Sequence, residues 1–121
     1  MIVPGFTFLS RTPRYETQHL YIIIVLLNNN EDAIMVNVTT KKESSDTSCT
    51  LCVGDHSFIS RDSVINYRDA KKPKVASLIT AIEKSIITPN SPVSDSLLQK
   101  ILLGALSSPF FPEGFKQYIS Q

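Results

Sequence analysis

The chain of 121 residues has no tryptophan, four glycines and two cysteines. The glycines, at positions 5, 54, 104 and 114, are too scattered to build the phosphate-cradling loop of a nucleotide-binding fold. The H-E-x-x-H and G-x-S-x-G strings of zinc proteases and α/β-hydrolases are also missing. Neither charge sign is in surplus: twelve Lys and Arg against eleven Asp and Glu give +1, so bulk charge names no partner. The longest apolar run covers residues 20–27, eight positions, where a membrane-spanning helix needs about 20. The first residues have no basic start and no apolar core of a secretory signal. The expectation is a cytoplasmic protein with no membrane segment.

What is present is ordinary globular composition, with 42% hydrophobic and 19% charged residues. A single domain over residues 1–121 follows, long enough to bury roughly two thirds of its unfolded surface without a disulfide or metal. Cys49 and Cys52 form a lone C-x-x-C. Zinc would need two more ligands, and His19 and His56 are the only histidines. Packing thiols are the favoured reading, with metal and redox roles as alternatives.

The first half has β character. Residues 6–10 make a short apolar run, and residues 11–18 read as a polar loop. Residues 20–27, rich in Ile and Val, predict a central strand buried on both faces. A turn at Asn28, Asn29 and Asn30 returns the chain into a strand over 33–40. Further strands are expected at 49–53 and 63–67, with Phe58 and Ile59 of the irregular segment between them plugging the core. Five short strands suggest a small antiparallel barrel or curled sheet over about residues 5–70.

A helical part follows over about 75–120. Apolar residues at 75, 78, 79, 82 and 86 have helical spacing, while 86–88 suits either helix or edge strand. Residues 94–107 predict the clearest helix, with Ser94 at the N-cap and Asp95 in the first turn. Pro109 and Pro112 end it, and 113–119 suggests a last short helix.

Two histidines, a Thr pair and a local basic excess remain as candidates for chemistry. Between positions 61 and 74 lie Arg61, Arg68, Lys71, Lys72 and Lys74 against Asp62 and Asp69. Tyr67 interrupts this run, and an aromatic among cations can stack a base while they hold phosphates. Arg11 and Arg14, with Lys41 and Lys42, are placed to line the same edge. Histidine titrates near neutral pH, so His19 and His56 suit base and acid roles in RNA cleavage through the 2′-hydroxyl. Arg68, Thr39 and Thr40 are candidate donors to the phosphate. The competing reading of each histidine is a hydrogen-bonded structural residue.

The order of elements resembles the PemK/MazF-like toxins of bacterial toxin–antitoxin systems. A Gly-opened first strand, a polar loop and a very apolar second strand lead to a third strand ending Thr39-Thr40. The string Phe58-Ile59-Ser60-Arg61-Asp62-Ser63-Val64-Ile65 then opens the fifth strand. The resemblance spans about residues 5–107 and implies an α+β, mainly β, SH3-like barrel that cleaves single-stranded RNA without metal or cofactor. It also implies a homodimer and an inhibitory antitoxin partner. The family's phosphate-facing hydroxyl falls on Thr39 or Thr40, and its basic residue before the second strand falls on His19, with Arg14 the nearest arginine. Asn66, Arg68 and Asp69 stand near the family's fifth-strand Arg and Asp.

The leading expectation is therefore a toxin-like endoribonuclease using His19, Thr40, His56 and Arg68. Arg11, Arg14, Thr39, Lys41, Arg61, Asn66, Tyr67 and Lys71 are expected to contact RNA. A non-catalytic SH3-like module, holding nucleic acid or a protein on its basic face, is the alternative. A third reading has Phe110, Phe111 and Phe115 as an exposed tail that docks a partner.

Overall fold

Alternating and continuous apolar patterns give way to helical spacing near residue 75, and the architecture follows that change. A computed structural model of the protein describes residues 1–11 and 17–119. Its strands are β1 (Thr7–Arg11), β2 (Gln18–Leu27), β3 (Asp32–Thr40), β4 (Thr50–Leu51), β5 (Ser63–Lys71) and β6 (Thr88–Asn90). The helices are α1 (Val75–Glu83), α2 (Asp95–Ser107) and α3 (Glu113–Lys116). The strands form one antiparallel sheet in the order β4-β5-β3-β2-β1-β6, and the fold class is α+β.

β2 lies inside the sheet between β1 and β3, and Ile22, Ile23 and Ile24 are all nearly inaccessible to solvent. Burial on both faces, expected from its unbroken apolar run, has a simple source. One face meets the main core, where Leu20, Ile22, Ile34, Val36 and Ile65 pack with Leu97, Ile101 and Ala105 of α2. On the other, Ile23, Ala33 and Phe8 pack with Leu78 of α1 and Ile87. The α2 start is as the sequence implies: the Ser94 hydroxyl accepts from the Leu97 amide at 3.1 Å, and Asp95 sits in the first turn.

The β2–β3 turn runs through Asn28, Asn29 and Asn30 at φ of 55°, 55° and 66°, a left-handed region that asparagine tolerates better than most residues. Behind it, the buried Asp32 carboxylate meets Lys74 Nζ at 2.8 Å and accepts a hydrogen bond from the Asn28 amide. Val75 N–H donates to the Glu31 carbonyl at 2.9 Å, tying α1 to this hairpin.

Several boundaries differ from the sequence expectation. β5 continues to Lys71 because its register against β3 shifts between the rungs Asn37–Asn66 and Met35–Lys71, taking up extra residues as a bulge. β4 is only two residues long. Of the segment 86–88, which suited either helix or edge strand, only Thr88 enters a strand: β6 runs on to Asn90 and pairs with β1, with Pro89 tolerated because the strand is at the edge. The aromatic tail is not free: Phe111 is 1% exposed and packs edge-on to Tyr67 and Phe115. Only Phe110 of the three is exposed, so Phe110, Phe111 and Phe115 do not form an exposed docking tail. The cysteines divide as well, Cys49 buried and Cys52 exposed, so only the first is a packing thiol.

Candidate functional site

The pairing of β2 with β3 runs from the turn up to the rung Tyr21–Asn37 and stops there. β2 nevertheless continues back to Gln18 against β1, and β3 continues to Thr40 against β5. Past Tyr21–Asn37 each strand keeps only its outer neighbour, and the sheet forks. The segment between β4 and β5 lies across the fork, with Ile59 buried in the main core.

A cleft of about 310 Å³ occupies this fork. Its walls are Thr17, Gln18 and His19 from one arm, Val38, Thr39 and Thr40 from the other, and Phe58, Ile59, Ser60, Arg61 and Ser63 from the crossing segment. Strand alternation puts His19 and Thr39 toward one side of the sheet and Gln18, Val38 and Thr40 toward the other, so the cleft draws on both. Among the described residues, no carboxylate lines it. Arg61, exposed, supplies a full positive charge, and five hydroxyl residues, one amide and one imidazole supply hydrogen bonds. Such a set favours an anionic ligand with several acceptor oxygens.

Four of the residues singled out from sequence therefore meet here: His19, Thr39, Thr40 and Arg61. His56 does not. It is 7% exposed, its Nε2–H donates to the Ser91 carbonyl at 2.6 Å, and its Nδ1 accepts from the Phe58 amide at 3.0 Å. With both ring nitrogens engaged, it is a structural residue and not the second acid or base. Tyr67 is corrected too: it is buried, and its hydroxyl donates to the Ile101 carbonyl at 2.7 Å, so it cannot stack a base. Burial pushes its hydroxyl pKa far up, with Cys49 and Asp46 adding to the shift.

Arg68 lies over the Phe110 ring, 4.1 Å from its centroid, away from the cleft walls. Asn66 donates to Asp69 at 2.9 Å, and Lys71 stands opposite Met35 on the far stretch of β3. Neither Asn66 nor Lys71 lines the cleft. Arg11 is exposed and paired with Gln18, one rung from His19. Arg14 lies outside the described residues. Lys41 lines a neighbouring hollow of about 210 Å³ with Thr50, Cys52, Asp62 and Lys100, and its amide donates to the Asp62 carbonyl at 3.0 Å.

Asp46 sits outside the cleft. Burial raises its pKa, but hydrogen bonds from Ser108 and Ser48, with the charge of Arg68, outweigh that and hold the carboxyl below its ordinary value. Burial raises the Cys49 thiol, which suits an inert packing residue. No group of three or more His, Cys, Asp or Glu side chains fit to hold a metal occurs among the described residues.

Sequence reasoning missed Gln18, Ser60 and Ser63 as cleft residues, and Phe58, expected to plug the core, packs against it and lines the cleft as well. The fork depends on where a ladder stops, and nothing in the spacing of β2 or β3 marks that rung. Among the described residues, no helix is long and apolar enough to cross a membrane. No family model matches the chain, and no curated protein matches it.

Proposed function

We propose that the forked cleft binds single-stranded RNA and cleaves it through the 2′-hydroxyl. The observation that carries this reading is the convergence of His19, Thr39, Thr40 and Arg61 in one cleft that no carboxylate lines among the described residues. His19 takes the proton of the 2′-hydroxyl as the 2′-oxygen bonds to phosphorus. The bond to the 5′-oxygen breaks, and that oxygen takes a proton from water in the open cleft. Arg61 and the threonine hydroxyls donate to the non-bridging phosphate oxygens, where negative charge accumulates. The product end is a 2′,3′-cyclic phosphate, and the chemistry needs no cofactor. In this reading the sheet is the curled core of an SH3-like, PemK/MazF-type toxin acting in the cytoplasm as a homodimer under an antitoxin's control.

A second reading has its own support. With His56 committed to Ser91 and Phe58, a single imidazole remains at the cleft, which suits a module that holds nucleic acid without cutting it.

Purified protein, mixed single-stranded RNA and excess EDTA decide between them. Cleavage with cyclic-phosphate ends that falls about 10²-fold or more in His19→Ala supports the nuclease. RNA left intact by well-folded protein, yet retained in a binding assay, supports the module. RNA neither cut nor bound removes both.

A further inference from the structure

Among the described residues, Phe58 is the one aromatic side chain lining the cleft, and its position has two sides. It packs against the main core and also lines the fork, so only part of the ring is committed to the interior. Its mounting is firm. The Phe58 amide donates to His56 Nδ1 at 3.0 Å, and the His56 ring is anchored in turn on the Ser91 carbonyl at 2.6 Å. Arg61 follows three residues later. The Ser63 hydroxyl bonds to the Arg61 carbonyl at 2.9 Å, and the Lys41 amide bonds to the Asp62 carbonyl, fixing this stretch against β3.

A half-buried aromatic ring on an anchored backbone and an exposed guanidinium thus stand at one small cleft. Every nucleobase has a face that stacks on an aromatic ring, and every nucleotide has a phosphate that an arginine can hold. The cleft volume of about 310 Å³ lies at the small end of ligand pockets and suits one nucleotide. Bases inside a duplex are stacked and paired, so their faces are not offered to such a ring, whereas an unpaired base is free to turn into it.

We propose that Phe58 is the stacking platform for the base of one unpaired nucleotide whose phosphate rests on Arg61. The proposal rests on the reading of the cleft as a nucleic-acid site, but not on its cutting RNA. It makes Phe58 a binding residue.

The test uses a fluorescein-labelled single-stranded DNA octamer of mixed sequence, read by fluorescence anisotropy with the full chain. DNA lacks the 2′-hydroxyl, so binding is measured without cleavage. Phe58→Leu keeps an apolar side chain but removes the ring, and should weaken binding roughly 5- to 100-fold. Phe58→Tyr keeps the ring and should bind within about twofold of wild type. Arg61→Ala should reduce the slope of log affinity against log salt by about 0.7, the loss of one phosphate contact, while Phe58→Leu leaves that slope unchanged. Should Phe58→Leu fail to fold by circular dichroism, Phe58→Met takes its place.

Affinity unchanged in the folded Leu or Met variant overturns the proposal. So does duplex DNA bound as tightly as single-stranded, or no binding of the octamer at all. Phe58-dependent binding of DNA by a protein that leaves RNA intact keeps the platform and withdraws only the cleavage.

Discussion

The hydroxyl of Tyr67 donates to the carbonyl of Ile101 at 2.7 Å, a bond that joins β5 to α2 across 34 positions of sequence. It is buried, and the Tyr67 ring meets Phe111 edge-on, with centroids 5.9 Å apart. Sheet, long helix and C-terminal segment are therefore fastened at one point. Tyr67→Phe keeps the ring and removes only the bond, so urea unfolding should show a loss of about 1 kcal/mol. Nucleic-acid binding should not change, because Tyr67 is remote from the cleft walls.

Gly104, in the last turn of α2, faces the same point. A Cβ there would come within 2.9 Å of the Ser48 carbonyl oxygen and 3.0 Å of Cys49 Cβ, and closer still to the Tyr67 hydroxyl. Alanine ordinarily favours a helix over glycine, so propensity alone predicts a gain. The close approach reverses the sign. Gly104→Ala should destabilise the protein by roughly 1–3 kcal/mol, visible as a lower thermal midpoint.

Asp32 and Lys74 predict the pH response of the β2–β3 hairpin. The hydrogen bond from Lys74, and then that from Asn28, hold the Asp32 carboxyl below its ordinary 3.8. A carboxylate depressed in the folded chain stabilises it above the unfolded value, and that contribution is lost as pH falls through the lower folded value. Wild type should therefore lose stability below about pH 4 more steeply than Asp32→Asn. The same hydrogen bond raises Lys74 above its ordinary 10.5, so its contribution is complete below that value and fades as pH rises past the folded one. Chemical unfolding across the pH range, wild type against Asp32→Asn and Lys74→Met, reads both limbs.

His56→Ala should behave as a stability mutation. It strips a partner from the Ser91 carbonyl and from the Phe58 amide, and should cost about 2–4 kcal/mol. If the cleft cleaves RNA, the pH profile of cleavage should keep its wild-type shape in the folded variant. A profile that loses one limb would return His56 to the chemistry.

Much of the fold was legible because it rests on local rules. Unbroken apolar residues placed β2 between two covered faces, the Asn triplet marked its turn, and Ser94 marked the start of α2. Tyr67 was legible too, since it alternates in step with Ile65 and so shares the core face. Reading it as an exposed stacker followed the cations beside it and overlooked that period. His56 was not legible: its partner Ser91 is 35 positions away, and no local pattern encodes that meeting. His19 and Arg61 entered the same cleft for a similarly non-local reason, the end of a strand ladder at Tyr21–Asn37.

The two terminal strands of the sheet offer little backbone of their own for further pairing. One is the two-residue β4, and the other is the three-residue β6 with a proline at its centre, which lacks an amide hydrogen. A second polypeptide would find only two or three residues to pair with at either of these strands, although among the described residues no strand covers the outer edge of β5 beyond Ile65. Edge-to-edge accretion is thereby discouraged at β4 and at β6 themselves, while the Ile- and Val-rich strands β2 and β3 lie inside the sheet. Copies or partners that meet this protein on its helices and sheet faces would be recognised there by the shape and charge of side chains.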